Sequence, residues 1–161
     1  MPLFTLPGSW ADSERIETFA TNRTGSATVV GEVVAFDLMG SDGDVSVHSS
    51  DSLDPFRNVI TPIAAHLVGW LFGICLQAVA DNAEVKLMVR GVGDALLTAS
   101  TNNVTGDLLM PIAGTTLSKV TDGKVCVAIS LDDGSTTSTA AVGSVYFDGK
   151  ASLGASGAAA V

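Results

Sequence analysis

Residues Val68–Gly91 read VGWLFGICLQAVADNAEVKLMVRG. An apolar run leads into the polar pair Asp81-Asn82, and beyond it Val85, Leu87 and Val89 alternate with Lys86, Met88 and Arg90. Period-two alternation closed by a glycine marks a half-buried antiparallel strand, so this stretch reads as strand, turn, strand. The same plan returns near the end of the chain. Lys124–Asp133 (KVCVAISLDD) is an apolar strand running into an acidic turn, and Val142–Gly149 (VGSVYFDG) is its expected partner.

Other segments extend the pattern. Thr28–Asp37 (TVVGEVVAFD) is rich in β-branched residues and reads as a strand. Asn58–Ala80 reads as two buried strands joined near His66-Leu67. Ala95–Ala99, Gly106–Pro111 and Gly114–Thr121 supply further short strands, with Asp122-Gly123 as a hairpin-turn signal. About eight to ten short strands separated by turns predict an all-β, single-domain antiparallel sandwich or barrel. Residues 1–27 stand apart as an N-terminal arm, 28–150 as the β domain, and 151–161 as a flexible tail of small residues. Within the arm, Pro2, Pro7 and Gly8 break regular structure, Ala11–Ala20 fits a short helix with Ile16 and Phe19 on one face, and Leu3, Phe4, Leu6 and Trp10 are apolar anchors.

Composition narrows the function classes. Eight Lys+Arg against 17 Asp+Glu give a net charge of −9. Phosphate binding requires clustered cations, so nucleic acid is not an expected partner. Charged residues are only 16% of the chain, against roughly 25% in ordinary soluble domains, which leans towards a surface covered by a partner. Pro62–Ala80 carries no formal charge with His66 neutral and approaches membrane-span length. His66, Gln77 and two glycines interrupt it and no basic flank orients it, so a membrane is not expected.

No motif for chemistry is visible. His48 lies in a polar loop and His66 in apolar sequence, neither beside a nucleophile signature. Two cysteines and two histidines, all separated, give no zinc spacing. The acidic loop Gly40–Asp54 lacks the ligand frame of a calcium-binding hand. Arg90-Gly91-Val92-Gly93 continues without the third glycine of a dinucleotide fingerprint. Catalytic, cofactor and metal residues are therefore expected to be absent. Cys75 and Cys126 each lie in an apolar strand, where a bridge is conceivable but free, buried thiols are the stronger reading. Asn22-Arg-Thr24 and Asn103-Val-Thr105 match the glycosylation pattern by accident, since no signal peptide is visible.

Three pieces carry a resemblance: Leu71–Ala78 (LFGICLQA) with Val85–Gly91 (VKLMVRG); Gly106–Pro111 (GDLLMP); and Val125–Leu131 (VCVAISL) with Gly143–Phe147 (GSVYF). Together these resemble the small β-rich capsid decoration, or cement, proteins of tailed-phage heads. The likeness spans Gly31–Gly149, with Ala128 where the family pattern has glycine and a longer arm and Gly40–Asn58 loop. It implies a non-enzymatic virion protein, made in the host cytoplasm, that binds the outer capsid surface, with the major capsid protein as partner and trimers at local three-fold positions. Leu3, Phe4, Trp10 and Phe19 would be the capsid or subunit contacts. A tail or fibre-base virion module is the alternative, and a small enzyme or ligand-binding barrel the second.

Overall fold

The computed structural model describes residues 15–37, 57–62, 71–98, 102–112, 114–120, 126–135 and 141–152. These form eleven strands and no helix: β1 (Ile16–Asn22), β2 (Val33–Phe36), β3 (Asn58–Ile60), β4 (Phe72–Cys75), β5 (Glu84–Leu97), β6 (Asn102–Asn103), β7 (Leu108–Pro111), β8 (Leu117–Lys119), β9 (Cys126–Ser130), β10 (Gly134–Ser135) and β11 (Ala141–Ser152). The fold is all-β, as expected.

Nine strands form one sheet in the order β1-β3-β2-β4-β5-β11-β9-β7-β8, and β1 and β8 each also pair with β5. The sheet therefore closes twice, as two five-stranded rings that share β5. The first half of β5 lies against β1 and β4, in registers Thr18↔Leu87 and Ile74↔Met88. The second half lies against β11, from Arg90↔Asp148 to Leu97↔Ala141, and meets β8 at Leu97↔Leu117. Pairing is antiparallel except for β1–β3 and β5–β8. Strands β6 and β10 form a separate two-stranded ribbon.

Each ring has its own core. Ala20, Val34, Phe36, Val59, Cys75, Val85 and Leu87 fill the first. Val33, Ala35, Phe72, Ile74 and Met88 belong instead to the second, with Leu97, Leu109, Leu117, Val145 and Phe147. Alternate residues of β2 and β4 thus serve different cores, and both strands are buried on both faces.

The long strand changes sides between the two cores. Val85 and Leu87 face the first, whereas Ala95 and Leu97, of the same parity, face the second. The cause is an irregularity in register: Glu17 pairs with Met88 and Ile16 with Arg90, which leaves Val89 as an extra residue. One extra residue reverses the alternation of everything after it. Gly91 follows with φ of +121°, and a Cβ there would stand 2.8 Å from the Arg15 Cα. Only glycine satisfies both demands.

Several expectations are corrected. The expected helix over 11–20 is not formed in its described part: Thr18, Ala20 and Asn22 turn inward at period two and β1 is a strand of the first ring. Residues 1–14 of the arm lie outside the described residues, as do the Gly40–Asp54 loop, the join near His66 and Asp122-Gly123. The strands expected to end at Gly91 and restart at Ala95 are one strand, because the bulge lets the chain pass between cores without a turn. Strand β2 starts only at Val33, after Gly31 at φ +89°. Strand β11 runs to Ser152, two residues into the expected tail. The two strands expected within Asn58–Ala80 are present as β3 and β4, with β2 between them in the sheet.

The turn at Asp81-Asn82 is where the sequence placed it. Asn82 adopts φ +65°, which asparagine tolerates well, and its amide donates to the Asn22 carbonyl at 2.8 Å. The Asn22 side chain, fully buried, ties this corner together. Its Nδ2 donates to the carbonyls of Ser26 (2.8 Å) and Ala80 (3.1 Å), while its Oδ1 accepts from the Thr24 amide (3.0 Å) and hydroxyl (2.8 Å).

Candidate functional site

Among the described residues, the first ring is open at one end beside the bulge at Val89. A cavity of about 480 Å³ lies there, lined by Ile16, Thr18, Phe36, Leu71 and Val89 on the first-ring side. Its charged lining is Arg90 and Asp148, which sit opposite each other across β5 and β11. Arg90 Nε also donates to the Tyr146 hydroxyl at 3.3 Å. The lining is mostly apolar, within the size range of small-molecule and side-chain pockets.

Beside this opening the surface combines apolar side chains with an ion-pair cluster. Phe19, 54% exposed, sits opposite Lys86 on β5. Glu17 receives Arg15 Nε at 2.7 Å and Lys86 Nζ at 2.5 Å. The Lys86 hydrogen bond is the main reason its carboxyl is held below the usual range. On the second ring, Leu108, Ile129, Tyr146 and Val92 form one cross-strand row. Leu131 and Val142 lie nearby, the latter 60% exposed. Asp107, at the end of this row, is likewise held low, first by Lys119 at 2.8 Å and then by the Val104 amide.

Of the four residues expected as contacts, Phe19 is on the outer face of β1; Leu3, Phe4 and Trp10 lie outside the described residues. His48 and His66 also lie outside them. Both cysteines are free. Burial pushes the Cys75 thiol up to about 12 and also raises Cys126, so both are held as neutral thiols. Among the described residues no group of three His, Cys, Asp or Glu could hold a metal, and no helix is long and apolar enough to cross a membrane. Neither glycosylation pattern offers an accessible amide: Asn22 is buried in its corner and Asn103 is 3% exposed.

The cavity was not visible in the sequence. Its signal lies in Val89-Arg90-Gly91, where an apolar residue, a charge and a glycine end one alternation and begin another of opposite phase.

No family model matches the sequence, and no curated protein matches it. The fold does have a match among solved structures. The chain is similar to the N base of the head fibre protein gp8.5 of bacteriophage phi29, with a TM-score of 0.51 at 9% identity, over 86% of this chain and 98% of that one. At this identity the similarity defines a shared fold.

Proposed function

We propose that this chain is a structural protein of a phage virion, seated on the outer surface of the head, where it bridges capsid subunits. The observation that carries the reading is the extent of the shared fold. It takes in nearly the whole of a phage head-fibre base, not one hairpin of it. The strand-by-strand resemblance to capsid decoration proteins points to the same surface. A protein that binds the closed shell and not separated subunits stabilises the shell by mass action. The major capsid protein is the proposed partner and a trimer the proposed state, with Leu3, Phe4, Trp10 and Phe19 as contacts, because aromatic side chains concentrate interface energy.

A second reading has a specific observation behind it. The similar structure is a fibre base, so this chain could instead anchor a projecting fibre. Copy number separates the two. Quantitative mass spectrometry of purified particles should give a simple integer ratio to the shell protein for a decoration role. A few copies per particle would favour a fibre base, and none would overturn both. Contact through the arm is tested by truncation ending at Glu14, since β1 is part of the first ring and must stay. Capsid binding that survives removal of residues 1–14 would rule the arm out.

A further inference from the structure

We propose that the outer face of the second ring docks a segment of the shell protein that carries Arg or Lys between apolar side chains. This contact is separate from the arm and Phe19. Ala95, Leu97, Val145 and Phe147 fill the second core, so their neighbours in β5 and β11 point outward at period two. On one side of the face Val92, Tyr146, Ile129 and Leu108 run across four strands. On the other, Leu96 pairs with Val142. Between these apolar rows Asp94 stands opposite Ser144, whose carbonyl accepts from the Leu131 amide, and Asp132 and Asp133 follow at the rim. Ile129, Leu131 and Val142 are all exposed.

Charge selects the occupant. The three carboxylates are fixed in place by neutral donors. Asp94 accepts from the Ser144 hydroxyl at 3.1 Å, Asp132 from the Ser144 amide at 3.1 Å, and Asp133 from the Thr105 amide at 2.7 Å. No ion pair among the described residues reaches any of them. Oriented carboxylates beside apolar rows complement a cation flanked by apolar groups. A second copy does not meet that demand. Face to face, it would bring the same three carboxylates against them. Among the described side chains, the cations Arg15, Arg23, Arg57, Lys86, Arg90 and Lys119 are each already engaged. From Val92 to Leu96 and from β5 to β7 the face covers about 200 Å² of sheet, against about 800 Å² per partner in a stable complex. A face of this size serves as one of several contacts with a larger body. The shell protein is that body on the virion reading, and the inference rests on that reading.

The test measures co-sedimentation of the full chain with phage heads purified without it. Ile129→Glu combined with Val142→Glu should weaken binding about 30-fold or more, as when an interface anchor is removed. Circular dichroism and the thermal melt should stay as in the wild type. If that pair does not fold, Asp94→Asn with Asp132→Asn replaces it, since asparagine keeps an oxygen for Ser144. This variant should bind several-fold more weakly at low salt and lose much of the wild-type salt dependence. Undiminished binding by either folded variant would overturn the docking surface and leave the virion reading standing. Wild-type protein that does not bind the heads would overturn both. A wild-type oligomer that the glutamate pair dissociates would make the face a self-contact, which also overturns the proposal.

Discussion

Gly149 of β11 packs directly onto the backbone of Phe72 of β4: a Cβ at this position would fall within the van der Waals envelope of the Phe72 carbonyl oxygen and meet the Val89 carbonyl at 3.1 Å. This approach joins the far end of the second ring to the wall it shares with the first. Backbone on both sides cannot move aside as a flexible side chain would.

Gly149→Ala should therefore destabilise the fold strongly, at or above the ~3 kcal/mol upper end of overpacking costs. Gly106 is the comparison. It has φ of +93° but open space around it, so Gly106→Ala should cost only the ~1–2 kcal/mol of a left-handed residue. Urea unfolding of the two variants should show this order, and equal losses would contradict the packing argument.

Two buried asparagines should respond in opposite ways. Asn22→Ala removes four hydrogen bonds made by a fully buried side chain, so a loss of about 3 kcal/mol is expected. Among the described residues, neither amide atom of Asn103 has a hydrogen-bond partner. Asn103→Leu should be neutral or stabilising, because it removes buried polar atoms that gain nothing. Thermal melts of both variants decide the point.

Acid should weaken the fold through Glu17 and Asp107. Both have folded pKa values lowered from 4.5 and 3.8. Their contribution is present above those unfolded values and is lost as pH falls through the folded ones. Carboxyl NMR titration should place both groups below their ordinary values. Lys86→Met should return Glu17 upwards and Lys119→Met should do the same for Asp107. Added salt should reproduce part of each effect, since the pairs are at the surface.

Cys75 behaves as a buried apolar residue. Its thiol, raised from 9.0 to about 12, favours the folded state below pH 9, and that contribution is lost as pH rises from there towards 12. At neutral pH a thiol reagent should label Cys126 faster than Cys75, and Cys75 only at the rate of unfolding. Rapid labelling of Cys75 in the native protein would contradict its position in the first core.

The sequence revealed the strands wherever alternation had one core to answer to. The Asp81-Asn82 turn, the strand from Val85 and the pairing of β9 with β11 were all legible in it. Alternation failed where one strand serves two cores. Gly91 looked like an end because the phase of the pattern reverses there, but the reversal comes from the extra residue Val89. In β1, Ile16 and Phe19 sit three apart, as on a helix face, yet both are exposed and the buried residues are Ala20 and Asn22. Exposed apolar residues misled the period. The cavity was illegible for a related reason: it is built by residues from five strands, brought together only when both rings close.

The double closure has a consequence for a molecule held at high density. Every strand of the nine-stranded sheet is hydrogen-bonded on two sides. Among the described residues, that sheet offers no full-length unpaired edge on which a neighbour's strand could be templated. Crowded copies can then meet through side chains and loops without zipping into fibrils, which suits a chain whose surface carries little charge to keep its neighbours apart.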